Sequence, residues 1–352
     1  MELVRTGMKP LSALLLQDDK PGHFHCSEAI LAAAQRLRPV TVEKVQIRRP
    51  WFAPPPVLTA LINRRASPAF VLKRIYGIDA ATLPKADLIV SAGGDTIAAN
   101  IALARLTGSP NIFFGSLRRF TPADFTLALN SYAIDRPAAN QLQILKPSPA
   151  DPAGLPVPDL DHRRLPKVSG LLVGGDSGDV RYTQRDWDRL LAFLGDTHVR
   201  LGMAWIVSNS RRTPEAVSDR LAAATAAQPG APILRFIDVR RAGSGTLSGL
   251  FADSGAIAVT SDSSAMLSEA IWMRRPVVAL RPEALRLPKV EQDYRSWLER
   301  NAWCREIALP DLTAERYASA LREVIPLADN PLADLARLLA TRLPALIGPS
   351  GN

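Results

Sequence analysis

Short apolar, β-branched runs recur along this chain, separated by longer stretches with helical spacing of their apolar positions. In the first half they cover residues 12–16, 42–47, 87–91, 111–114 and 125–129. Runs of this length, closed by glycine-rich or polar turns and alternating with helices, are the pattern of parallel sheets. The alternation pauses over residues 146–167, where six prolines (147, 149, 152, 156, 158 and 166) interrupt any periodicity. That stretch reads as an extended linker. Strand-like runs resume at residues 168–173, 203–208, 233–237, 256–260 and 276–280, and from Leu321 the sequence turns helical and rich in Leu and Ala. The expectation is an α/β protein of two Rossmann-like parallel-sheet lobes facing each other across a cleft. The first lobe would span residues 1–145, the linker 146–167, the second lobe 168–320, and residues 321–352 would pack as helices across the lobes.

Composition narrows this picture without changing it. With 352 residues, 47% hydrophobic and 22% charged, the chain is long enough for two cores and ordinary for a globular protein. No apolar run approaches the ~20 residues of a membrane span, and the first ten residues lack the apolar centre of a signal peptide. Only Cys26 and Cys304 are present and no CxxC occurs, which points to a reducing compartment and away from zinc or disulfide scaffolds. Cytoplasm is the expected location.

Charge adds a partner class. The formal charge of +9 favours an anionic partner. Residues 44–78 hold Lys44, Arg48, Arg49, Arg64, Arg65, Lys73 and Arg74 with no acid, interleaved with Trp51, Phe52, Leu58, Phe70 and Tyr76. Cations among aromatic and aliphatic side chains suit peripheral attachment to an anionic membrane surface, here the inner face of the cytoplasmic membrane. A solvated face over part of the lobe core explains the stretch equally well. Nucleic acid is not expected, since aromatic residues are only 6% of the chain and no RNA or DNA motif appears.

In open parallel sheets ligands bind beyond the carboxyl ends of the strands, so the loops there are where chemistry is sought. After the first strand comes Gln17-Asp18-Asp19-Lys20-Pro21-Gly22-His23, with a helix expected near Ser27. Gly22 would permit a tight turn, and His23 would carry a group suited to proton transfer near neutrality. Asp18 or Asp19 could orient it or cap the helix. A second loop, Ser91-Ala92-Gly93-Gly94-Asp95-Thr96, exposes amides at a helix start. Asp95 there is either an N-cap or a group acting on an acceptor hydroxyl. Arg118 follows the next strand and would add positive field, completing an acceptor side of Gly22, Gly93, Gly94, Thr96 and Arg118.

The second lobe carries a fuller set. Gly174, Gly175, Asp176 and Ser177 form a glycine turn, and Ser208, Asn209, Ser210, Arg211 and Arg212 form a polar, basic loop able to neutralise a diphosphate. In the stretch TSDSSAMLSEA, Ser263 and Ser264 offer hydroxyls and amides at a helix start, with Met266 and Ser268 behind them. Glu269 lies in the same helix, where a carboxylate could accept from both hydroxyls of a ribose.

The order GGDSG, WIVSNSRR, FID and VTSDSSAMLSEAIWMRRPVVAL resembles the donor half of a GT-B glycosyltransferase. Pro-Gly-His and Ala-Gly-Gly-Asp resemble the glycine loops of the lipid-II N-acetylglucosaminyltransferase type. Over nearly the whole chain, in QDDKPGH, SAGGDT, KPSP, GGDSG, SNSRRTP, AGSGTLS and TSDSSAMLSEA, the sequence resembles the mitochondrial-fission ELM family, whose bacterial members are regarded as candidate glycosyltransferases. The resemblance implies a GT-B fold and hexosyl transfer from a nucleoside-diphosphate sugar to a cell-envelope or lipid-linked acceptor, inverting and with neither cofactor nor metal. It implies Glu269 on the ribose, Ser263 and Ser264 on the diphosphate, the backbone near Ile237 on the base, and His23 or Asp95 as general base. The loop before His23 departs from the pattern in having only Pro-Gly. Two other classes share the motifs, a nucleotide-sugar enzyme such as an epimerase and a non-catalytic membrane adaptor.

Overall fold

The computed structural model describes residues 9–156, 164–178, 180–225, 230–242 and 247–347. The chain divides into two compact units, residues 1–151 with 331–352, and residues 152–330. Residues 157–163 of the proline-rich stretch lie outside the described residues.

The first unit is built on a six-stranded sheet of β1 (Leu11–Gln17), β2 (Val40–Gln46), β3 (Leu88–Ala92), β4 (Asn111–Phe114), β5 (Leu127–Asn130) and β6 (Gln141–Gln143). Its order is β2-β1-β3-β4-β5-β6 and every pairing is parallel. The central strand β3 is buried throughout, because both faces of a parallel sheet are covered by helices. At the edge, β2 is mostly exposed and carries Glu43 and Lys44, charges that discourage pairing with another chain. The helix Pro331–Arg342 returns to this unit and packs on the helix Pro21–Gln35.

The second unit repeats the plan with β7 (Val168–Leu172), β8 (Ala204–Ser208), β9 (Ile233–Ile237), β10 (Ala256–Thr260), β11 (Val277–Arg281) and β12 (Cys304–Ala308). The order is β12-β11-β10-β7-β8-β9, again all parallel. Its core joins Trp205, Phe193 and Tyr317, whose rings lie 5.2–5.6 Å apart.

Each sheet thus has one strand more than the apolar runs predicted. β6 is three residues of Gln-Leu-Gln, too short and polar to register as a run. β12 reads Cys-Arg-Glu-Ile-Ala because its outer positions carry the paired residues Arg305 and Glu306.

In both sheets the first strand has neighbours reached by connections in opposite directions. This creates a topological switch point between β1 and β3 in one unit and between β7 and β10 in the other. Crevices beyond such points are where open α/β sheets bind ligands.

Candidate functional site

At the β1–β3 switch point the helix begins at Pro21, six residues earlier than the sequence suggests. Proline at a first helical position lacks only an N–H that has no partner there, so Pro21 starts the helix where a loop was expected. Gly22 is consequently helical, with open space at its Cα, and makes no tight turn. His23 sits on the first helical turn. Its Nδ1 lies 2.6 Å from Oδ2 of Asp18, whose other oxygen accepts the Lys20 N–H at 3.0 Å. Asp18 is buried while His23 remains about one-third exposed. An ionised carboxylate can only accept, so Nδ1 donates its N–H, and in the neutral form of the ring Nε2 keeps its lone pair.

The second loop presses against this pair. Gly93 has φ +88°, and a Cβ there would fall 2.1 Å from His23 Nδ1. Only glycine allows both that backbone conformation and that approach. A Cβ on Gly94 would lie 3.0 Å from the Arg118 guanidinium, which covers the loop. Thr96 is buried, its hydroxyl donating to the carbonyls of Ala92 and Gly93. Asp95 is not the helix N-cap; that position belongs to Thr96. Instead its carboxylate accepts from Arg49 Nε at 2.6 Å and Lys20 Nζ at 3.1 Å. Burial alone would raise the Asp95 carboxyl, but the hydrogen bonds and charges of Arg49 and Lys20 outweigh it and hold the group below its usual range. Arg49 carried no sequence signal for this role, since it reaches Asp95 across 46 residues of chain.

At the β7–β10 switch point the loops are tied around one carboxylate. Asp262, whose side chain has no exposed surface, accepts from Thr260 Oγ1 at 2.7 Å, Arg212 Nη2 at 2.5 Å and the Tyr182 hydroxyl at 3.3 Å. A Cβ on Gly174 would meet both Asp262 oxygens at 2.1 Å, and one on Gly175 would meet the Arg212 carbonyl at 2.0 Å. Thr213 Oγ1 closes the set by donating to the Gly174 carbonyl at 2.6 Å. Asp176 accepts the Tyr182 N–H and lies 3.7 Å from Arg181, while Ser177 forms a reciprocal backbone bridge with Val180.

The basic loop after β8 splits by role. Ser208 and Asn209 are buried, and Asn209 holds Ser218, Asp238 and the Val239 amide. Ser210 accepts from the Arg212 amide. Arg212 is committed to Asp262, whereas Arg211 is exposed and pairs with no carboxylate among the described residues.

On the helix Ser264–Trp272, Ser263 is the N-cap and accepts the Met266 N–H at 3.3 Å. Ser264 donates to Glu291, so its hydroxyl is engaged by an internal carboxylate. Ser268 is buried against the Tyr294 hydroxyl, and Met266 and Glu269 are half-buried on the same helix. Behind them Arg295 Nη2 donates to the Ser261 carbonyl at 2.7 Å. Burial pushes the nearby Glu306 carboxyl up, opposed by Arg295 and Arg281. At the end of β9, the Ile237 carbonyl accepts the Asn209 N–H. A cavity of about 550 Å³ opens beside it, walled by Phe236, Ile237, Asp238, Arg240 and Arg241. Residues 243–246 of the AGSGTLS motif lie outside the described residues.

Solved structures share this fold. MurG of Acinetobacter baumannii covers 94% of this chain and 100% of its own at 13% identity, with a TM-score of 0.51. The UDP-GlcNAc 2-epimerase of Neisseria meningitidis, solved with UDP-GlcNAc, covers 95% and 100% at 10% identity, with a TM-score of 0.51. The kitacinnamycin glycosyltransferase covers 97% of both chains at 10% identity, with a TM-score of 0.50. The fold is therefore that of the GT-B enzymes, as the motifs led one to expect. No curated protein sequence matches the chain. The family model for mitochondrial fission ELM1 matches residues 145–335.

Proposed function

The chain belongs to the mitochondrial fission ELM1 family, and we propose that it is a glycosyltransferase that moves a sugar from a nucleoside diphosphate to a hydroxyl of a cell-envelope or lipid-linked acceptor. The observation that carries this reading is the His23–Asp18 pair at the β1–β3 switch point. A histidine whose Nδ1 is held by a buried carboxylate has its Nε2 available to take a proton, and the carboxylate stabilises the imidazolium that results.

In the proposed step Nε2 of His23 takes the acceptor hydroxyl proton as that oxygen bonds to the anomeric carbon. The bond from that carbon to the diphosphate breaks, and its electron pair leaves with the diphosphate. The second unit holds the donor. Amides at the start of the helix Ser264–Trp272 and the unpaired Arg211 offset the departing charge. Glu269 takes the ribose, and the cavity beside Ile237 takes the base. Asp95, neutralised by Arg49 and Lys20, positions its loop and is not the base. Solved relatives by fold include an epimerase captured with UDP-GlcNAc, which supports a nucleotide sugar as the ligand class.

The test pairs binding with turnover. A nucleoside-diphosphate sugar should raise the melting temperature of the wild-type protein by mass action, and Glu269→Ala should abolish that rise. Asp18→Asn should retain the rise but lower transfer by about 10²-fold or more and alter its pH profile. A protein that no donor stabilises, or an Asp18→Asn variant with full turnover, refutes the reading.

A further inference from the structure

The acid-free stretch forms an arch whose two feet stand on the same residue. Near its start Arg49 donates to the Asp95 carboxylate, and at its end the Tyr76 hydroxyl donates to the Asp95 carbonyl at 3.4 Å. Between the feet, Leu58 and Ile62 of the helix Pro55–Asn63 and Val71 and Leu72 beyond it are buried in the core of the first unit. Both of these segments pack on the helix Ile97–Thr107. Their outer positions therefore point away from that helix.

Those outer positions are unusual for a folded surface. Trp51 is 90% exposed and stands edge-to-face with Phe52, which is 52% exposed; Phe70 and Val57 are 47% and 42% exposed. Tryptophan is normally among the most covered side chains, and among the described residues the one ring contact of Trp51 is with Phe52. Charge on the same stretch is only partly compensated. Lys44, Arg49 and Lys73 pair with Glu28, Asp95 and Asp79, but Arg48, Arg64, Arg65 and Arg74 are exposed and pair with no carboxylate among the described residues. Asn63 donates to the Arg119 carbonyl, bringing one more exposed cation beside Arg64.

We propose that this arch is a docking surface for an anionic lipid bilayer, with Trp51 and Phe52 entering the headgroup region and the unpaired arginines lying on anionic headgroups. An aromatic and aliphatic ridge flanked by cations matches the polarity gradient of a bilayer interface, and each cation near an anionic surface contributes about fivefold to the binding constant. A nucleic acid would reward the charge but leave Val57 and Phe70 against phosphate or water. Among the described residues no helix is long and apolar enough to cross a membrane. Because both feet rest on Asp95, next to Lys20 and the His23 helix, docking presents the acceptor side to membrane-borne hydroxyls. This last consequence rests on the proposed transfer reaction; the docking itself does not.

Vesicle co-sedimentation tests it with the full chain. Vesicles of phosphatidylcholine containing phosphatidylglycerol should bind wild type, pure phosphatidylcholine should bind at least about tenfold more weakly, and high salt should release the protein. Trp51→Ala with Phe52→Ala, and separately Arg64→Gln with Arg65→Gln, should each weaken binding by about tenfold. Since these side chains are exposed, melting temperatures and any donor-induced shift should match wild type. Equal binding to neutral vesicles, undiminished binding by both variants, or binding to RNA without binding to anionic vesicles overturns the proposal. Absence of a donor shift in wild type would count against the transferase reading and leave the vesicle result standing.

Discussion

Replacing Gly174 with alanine probes the second site through a single methyl group. The new Cβ would sit 2.1 Å from both oxygens of Asp262, more than 1 Å inside an ordinary contact distance. Asp262 is short and fully enclosed, so it can yield only by leaving its partners, Thr260 at 2.7 Å, Arg212 at 2.5 Å and Tyr182 at 3.3 Å. Stripping a buried carboxylate of its partners typically costs about 3–5 kcal/mol. In a unit of roughly 180 residues, each kcal/mol lowers the melting temperature by about 2–4 °C, so a fall of roughly 6–20 °C is expected. Scanning fluorimetry measures it directly. Gly195→Ala is the control: the glycine lies inside the helix Gln184–Leu201 with open space around it, and alanine there should stabilise by about 0.5–1 kcal/mol. Asp262→Ala removes the clash, so adding Gly174→Ala to it should cost little further. A Gly174→Ala protein melting within about 2 °C of wild type, or additive losses in the double variant, would refute the reasoning.

Two further predictions concern titration. Burial pushes the thiols of Cys26 and Cys304 up to about 12, so both stay protonated at pH 8, and neither should react with iodoacetamide until denaturant is added; rapid stoichiometric labelling of the native protein would contradict this. The Asp95 carboxyl is held below its unfolded value, so its ion pairs contribute fully above about pH 4 and are lost as pH falls through the lower folded value. Asp95→Asn should therefore melt lower than wild type at pH 6, with the gap closing in acid; a gap that widens in acid would contradict the assignment.

Much of the first site was legible locally. Pro-Gly-His beside Asp18 places imidazole and carboxylate five residues apart, close enough for sequence to suggest one orienting the other. The role of Asp95 was not legible, because an aspartate before a helix reads as an N-cap, and its cations Lys20 and Arg49 come from a different loop and strand end. The same limit applies to Ser264. Its hydroxyl looked free for phosphate until the helix Lys289–Arg300 brought Glu291 against it.

By itself the sequence determined two parallel-sheet units with glycine loops at strand ends. Strands covered on both faces are runs of apolar residues, and glycine pairs such as Gly93-Gly94 and Gly174-Gly175 mark places where backbone must pass close to other groups, so both features are written in one dimension. Tertiary structure decided which loops meet. Gly174 touches the Thr260–Asp262 turn, 86 residues on from it, only because β10 lies beside β7 in the sheet. That adjacency is a property of strand order, set by how the crossovers pack, and no local pattern encodes it.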